Sequence, residues 1–165
     1  MTLTTEDRFK SGMQLLAAST NIVTSEYQGE RAGMAATAVC SLTADPPALL
    51  VCINRTARTY GTVMDSRKFA VNLVPDDMTE VVGAFSSKAD KEQQFQMAGT
   101  WGRGDLDLPV LKEAVASFEC EVESWANTKT HAVFFGLVRQ VYLNPDKSAL
   151  IYGRKGFHKL TPLGK

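Results

Sequence analysis

The sequence predicts a mainly β protein, an antiparallel barrel with peripheral helices. Short apolar or alternating runs recur along the chain, each closed by turn-forming residues. Helical patterns are few and short, and no regular β-α-β rhythm links the strands. No repeat, low-complexity segment or linker divides residues 1–165, which read as one domain.

The elements follow in order. Thr4 or Thr5 with Glu6 and Asp7 opens a helix, and Phe9, Met13, Leu16 and Ala17 carry its spacing to about Ala18. Residues 21–25 form a strand, and a turn centred on Gly29 leads into a long strand over 31–42, with Gly33 as a bulge. Asp45-Pro46-Pro47 breaks it, and 48–53 is a buried strand. A short helix over 59–66 precedes a strand over 68–73. Residues 76–85 are helical, with Met78, Val81, Val82 and Phe85 on one face; 86–91 is a polar loop and 92–97 a helical turn. Residues 99–109 form a long loop in which Trp101 packs, and 109–114 a short helix beside Pro109. Strands follow at 115–127, 130–142 and 149–153; Glu119, Glu121 and Glu123 read as a solvated face of the first.

Lys+Arg and Asp+Glu balance at 18 each, which argues against nucleic acid or an anionic membrane as the main partner. No apolar run is long enough to span a bilayer, and the polar N-terminus lacks a signal-peptide core, so a cytoplasmic protein is expected. Cys40, Cys52 and Cys120 show no zinc spacing and read as reduced, buried residues on strands.

The chemistry is reached by elimination. No Rossmann glycine pattern follows a strand, and there is no P-loop and no nucleophile elbow. His131 and His158 are too sparse for a histidine-built metal site. A chain with little acid–base machinery suits a cofactor that carries the chemistry while the protein binds and orients it. Residues 33–72 locate the site. Small residues from Ala35 to Ser41 let a flat ring approach the backbone. The cluster Asn54, Arg55, Thr56, Arg58 and Thr59 at a strand end offers donors for a phosphate. Together they point to a phosphorylated planar cofactor.

These residues resemble a known family. The run Gly33-Met34-Ala35-Ala36-Thr37-Ala38, then Ser41-Leu42, Asp45-Pro46-Pro47 and 51–59, is similar to the short-chain flavin reductases, including the reductase component of 4-hydroxyphenylacetate 3-monooxygenase. Residues 69–73, Phe85-Ser86-Ser87-Lys88, 131–136 and 150–158 continue the match in register.

The resemblance implies the FMN-binding split β-barrel, an antiparallel Greek-key fold, and a homodimeric NAD(P)H:flavin oxidoreductase. FMN or FAD would accept hydride at N5 from C4 of NADH or NADPH, and reduced flavin would pass to a partner monooxygenase. Met34, Ala35, Ala36, Thr37, Ala38, Val39, Ser41 and Leu42 would hold the ring. Asn54, Arg55, Thr56, Thr59, Phe85, Ser86, Ser87 and Lys88 would hold the phosphate end. His131 would position the nicotinamide, and Tyr152, Phe157 and His158 would close the pocket. Gly153 stands where the family often carries an aromatic residue, which implies a wider pocket mouth. Two other readings stay open: a bound-FMN reductase of a corrin or ferric chelate, and a non-catalytic flavin- or haem-binding split barrel.

Overall fold

The computed structural model describes residues 2–164. Its centre is a seven-stranded, wholly antiparallel sheet in the order β3-β2-β6-β9-β10-β5-β4. The strands are β2 (Asn21–Tyr27), β3 (Glu30–Ala36), β4 (Val39–Ala44), β5 (Pro47–Asn54), β6 (Lys68–Leu73), β9 (Ala116–Asn127) and β10 (His131–Leu143). The two edge strands, β3 and β4, are consecutive in sequence. The sheet must therefore curl until its edges meet at the two residues between them, Thr37 and Ala38. There the Ala38 carbonyl accepts from Cys52 N at 3.0 Å, and Val39 N donates to Thr37 O at 2.9 Å.

The expected long strand over 31–42 is thus two strands belonging to opposite edges. Gly33 is not a bulge: the β2–β3 register runs unbroken from Asn21↔Ala36 to Tyr27↔Glu30. Glycine is required there because a Cβ would lie 2.5 and 2.7 Å from two carbons of the Phe85 ring. The hairpin turns at Gln28 and Gly29, whose φ values of 52° and 81° meet the demand of a tight two-residue turn.

α1 (Thr5–Leu15) opens with a reciprocal cap, Asp7 N to Thr4 Oγ1 and Thr4 N to Asp7 Oδ2, each 3.1 Å. α2 (Arg58–Ser66) buries Thr59, Thr62 and Val63. α3 (Thr79–Ser86) and α4 (Lys91–Met97) pack outside β3. The helix expected from Asp76 begins only at Thr79, because Pro75 bridges Ala149 and Asp76 N bonds Ser148 O. The small sheet β1 (Ala18–Ser19), β11 (Ile151–Gly153) and β12 (Gly156–His158) lies beside the barrel. A further hairpin, β7 (Trp101–Arg103) with β8 (Pro109–Leu111), replaces the expected loop and short helix. All three β8 residues are buried, and Leu111 N bonds the Asn72 side chain, so tertiary pairing overrides local helix propensity.

Two apolar clusters result. One fills the barrel around Val23, Val51, Phe69, Val71 and Phe134. The other lies under α3 and α4, around Ile22, Val82, Phe85, Phe95 and Leu111. Phe85, Phe95 and Trp101 meet edge to face at centroid distances of 4.9–5.1 Å, so Trp101 packs as expected. Arg31 covers Phe95, 4.3 Å above its centroid, and bonds Glu92, which holds that carboxyl below its ordinary range.

Asn72 is buried at the join of four strands. Its Nδ2 donates to Ile22 O (3.0 Å) and Thr24 Oγ1 (3.2 Å); its Oδ1 accepts from Leu111 N (3.0 Å) and Ser117 Oγ (2.9 Å). Glu119 departs from the expected solvated face: it is 0% exposed and accepts from Leu106 N and the Tyr142 hydroxyl, both at 3.1 Å. The loop carrying Gly104 closes directly over its carboxylate. Desolvation, with Glu119 adding its charge, pushes the Tyr142 phenol up to about 12.

Gly33→Val drives a branched side chain into the Phe85 ring. It is expected to lower stability by about 1–3 kcal/mol in denaturant titration, the usual cost of overpacking; an unchanged midpoint would show that Phe85 has room to move.

Candidate functional site

Two clefts flank the Thr37–Ala38 corner, and a third opens at the end of β5. The first, of about 330 Å³, is lined by Thr20, Ala35, Ala36, Thr37, Val82, Ser86, Tyr152 and Phe157. Its size falls at the small end of ligand pockets, which run roughly 300–1,000 Å³. Small side chains at 35–37 form one wall, Val82 and Ser86 of α3 a second, and the Tyr152–Phe157 pair, 5.5 Å apart edge to face, a third. Thr37 N and Ala38 N donate to no acceptor among the described residues. Thr20 is 3% exposed, and its Oγ1 has no hydrogen-bond partner.

The second cleft, about 390 Å³, is mainly apolar and includes Val39, Cys40, Ser41, Leu49, Val71 and Phe118; of the three cysteines expected to be buried only Cys120 is, Cys52 being half-buried and Cys40 exposed on the edge strand β4. The third, about 400 Å³, is lined by residues that each carry a polar group: Asn54, Arg55, Thr56, Tyr60, Lys129 and Thr130. Its two cations make no ion pair among the described residues, and none of its lining residues is acidic. Thr56 N and Oγ1 both bond Asn54 Oδ1 at 2.9 Å, leaving the Asn54 amide nitrogen free to donate. Arg55 N bonds Thr130 O at 2.9 Å, which ties this strand end to the β9–β10 turn.

α2 begins at this strand end. Ala57 caps it without a side-chain bond; Tyr60 N donates to Ala57 O at 3.0 Å, and the Arg58 and Thr59 amides remain available to an anion. Arg58 Nη2 donates to Ala89 O at 2.7 Å and binds the 86–90 loop to the start of α2.

The residues singled out from sequence divide among these places. Ala35, Ala36, Thr37, Ser86, Tyr152 and Phe157 line the first cleft; Val39 and Ser41 the second; Asn54, Arg55 and Thr56 the third. Met34 packs toward the barrel core, and Thr59 is 1% exposed in α2. Leu42 sits at a register shift in β4 and is exposed. Phe85 is 4% exposed and belongs to the core, so only its backbone neighbours, Ser86 and Ser87, reach the surface. Lys88 is exposed on the loop that Arg58 anchors.

His131 is exposed, not a core histidine. It stands opposite Asn54 in the β10–β5 register, and Thr130 Oγ1 lies 2.8 Å from its Nδ1, leaving Nε2 the free ring nitrogen. His158 Nε2 is 2.9 Å from Gly153 O and braces the β11–β12 hairpin. Gly153 does not widen the pocket mouth. It is buried, and a Cβ there would meet Ala17 at 3.2 Å. Thr20, Val82, Tyr60 and Lys129 escaped sequence reasoning. Lys129 sat two positions before His131, a signal open to use; Thr20 gave none.

The comparisons decide the family. The model for the flavin reductase like domain matches residues 13–161. The chain belongs to the flavin reductase-like family. The FMN reductase (NADH) RutF of Enterobacter cloacae is 34% identical over 160 residues, covering 96% of this chain and 97% of the relative. RutF of Agrobacterium fabrum is 35% identical over 162 residues, with 96% and 92% covered. The crystal structure of a candidate flavin reductase from Haemophilus somnus superposes with a TM-score of 0.91 at 30% identity, covering 96% of this chain and all of the other. The split-barrel fold and the flavin reductase class read from the sequence both hold.

The residues present fit a flavin. A cleft walled by small side chains, two free corner amides, an orphaned hydroxyl and an uncapped helix start together offer a ring slot and an anion cradle. Removing the Arg58 anchor tests the cradle's assembly. Arg58→Ala should speed amide exchange over 86–90 by about fivefold in hydrogen-exchange mass spectrometry, the effect of one solvent-open charged hydrogen bond of about 1 kcal/mol. Unchanged exchange would mean that the loop holds its place without Arg58.

Proposed function

We propose that the chain is an NADH-dependent flavin reductase that releases reduced FMN to a separate acceptor enzyme, such as a monooxygenase. One observation carries the reading: a ring-sized cleft with free main-chain donors that no side-chain acid or base lines. Family membership supplies the enzyme class. The names of the RutF relatives support FMN as the flavin and NADH as the reductant.

When bound, the flavin supplies the hydride acceptor, N5. The chain's part is placement. Met34 through Val39, with Ser41 and Leu42 beyond the corner, present the backbone to the ring. Thr37 and Ala38 amides are aimed where negative charge gathers on reduction. Asn54, Thr56 and the main-chain amides of Arg58 and Thr59 receive the phosphate end, with Arg55, Lys88 and Lys129 supplying positive charge. Ser86 and Ser87 complete that end. Tyr152 and Phe157, braced by His158, exclude water from the ring. His131 positions the nicotinamide through its free ring nitrogen.

Residues 1–165 act as one domain and work as a homodimer. α1 buries none of its residues; Phe9, Leu15 and Leu16 are each at least 60% exposed, as are Leu160 and Leu143. So much uncovered apolar surface on α1, the end of β10 and the C-terminal segment is the mark of a face that a second copy covers. A cytoplasmic setting suits the three free thiols and the supply of NADH.

Anaerobic mixing with NADH and FMN should bleach the flavin's visible absorption. His131→Ala should raise KM for NADH while FMN affinity holds; the opposite pattern removes His131 from nicotinamide positioning. No NADH oxidation with FMN, ferric chelate or corrin would leave a binding protein instead. Retention of flavin through gel filtration during turnover would defeat release to a separate acceptor. Sedimentation of the flavin-loaded chain should give twice the chain mass, and a loaded monomer would end the dimer assignment.

A further inference from the structure

The third cleft is larger and more cationic than one phosphate needs. Its volume of about 400 Å³ falls in the range that encloses a whole small molecule, roughly 300–1,000 Å³. The end of β5 supplies Asn54, Arg55 and Thr56, the β9–β10 turn supplies Lys129 and Thr130, and α2 adds Tyr60. Arg55 joins the first two, its N bonding Thr130 O at 2.9 Å and its Nη1 reaching Thr128 O at 3.5 Å. Thr128 locks the turn in place: its N donates to His131 O at 2.8 Å, and its Oγ1 accepts from His131 N at 3.1 Å. Tyr60 is half-buried, lies 6.0 Å from Phe134 and gives the cleft its one aromatic side chain.

A flavin brings a single phosphate to this region, and the Arg58 and Thr59 amides meet part of its charge. Lys129 stands on the other turn, exposed and without an ion pair among the described residues. With Arg55 equally unpaired and no acid in the lining, positive charge remains for a second phosphate. His131 borders the same cleft: its register partner is Asn54, and Thr130 Oγ1 lies 2.8 Å from its Nδ1. We propose, resting on the flavin reading above, that the third cleft is an adenosine-phosphate subsite, with Lys129 and Arg55 on the phosphate and Tyr60 beside the base. FAD and NADH both end in this group, so one recognition chemistry serves either source.

AMP is the probe. Added to the FMN-loaded protein, isotope-labelled for NMR, it should shift the amide signals of Asn54, Thr130 and His131 without expelling flavin. Inorganic phosphate at the same concentration should shift them less, for want of the base. Lys129→Glu should abolish the AMP shifts and Lys129→Arg should keep them; the residue is exposed, so neither change disturbs the core. Two ratios in Lys129→Glu then name the source. An adenosine that belongs to FAD makes the affinity advantage of FAD over FMN shrink roughly three- to tenfold. One that belongs to NADH shrinks the KM advantage of NADH over reduced nicotinamide mononucleotide by roughly the same factor. AMP that shifts nothing, phosphate as effective as AMP, AMP that expels FMN, or two unchanged ratios would each overturn the subsite. A parent protein that binds AMP but not FMN would instead strike the flavin reading and leave the cleft's assignment standing.

Discussion

The closure of the sheet is the constraint from which the site follows. Strands adjacent in sequence, β3 and β4, occupy opposite edges of a seven-stranded sheet, so the chain turns from one edge to the other within Thr37 and Ala38. Neither residue can serve both ladders. Their amides are left unpaired between the first cleft and the second. Bulky side chains at 35–38 would fill that junction; alanine and threonine keep it open. The same turn draws Cys52 to Ala38, which carries Asn54 and the start of α2 to the end of the slot.

Side-chain acids and bases are kept out of this region. Glu119, the one fully buried carboxylate among the described residues, lies beneath the Gly104 loop with its oxygens bonded to Leu106 and Tyr142. The ion pairs of Arg31, Glu92, Arg103 and Glu26 hold α4 and β7 against the first hairpin. What faces the clefts instead is main chain, hydroxyl and unpaired cation. That distribution suits an enzyme whose cofactor performs the electron chemistry and whose chain fixes geometry and charge.

Much of this was legible in the chain. The strands at 48–53, 68–73 and 130–142 stood out because apolar runs ended at turn residues, and the helix starting at Thr4 because its cap is local. Ala35, Ala36, Thr37, Ser86, Tyr152 and Phe157 were named from a family pattern, and they share one cleft. Other features depended on contacts distant in sequence. The division of 31–42 arises from edge closure, which no window of residues encodes. The β8 strand arises from Asn72 claiming Leu111 N. Glu119 alternates correctly with its neighbours, yet a loop from fifteen residues earlier folds over it. Thr20 is a plain threonine before a strand until Leu150 and Val74 pin its backbone.

Asn72 carries a consequence for strand alignment. One amide group answers to Ile22, Thr24, Leu111 and Ser117, on β2, β8 and β9 as well as within its own strand's neighbours. Sliding β6 by a single position would turn that amide to the opposite face and strand every one of those groups at once. Hydrophobic residues alone would tolerate such a slip, since Ala70 and Val71 precede it and Leu73 and Val74 follow. The side chain thus acts as a keyed tooth: apolar packing drives the barrel shut, and the amide permits only one way for it to mesh.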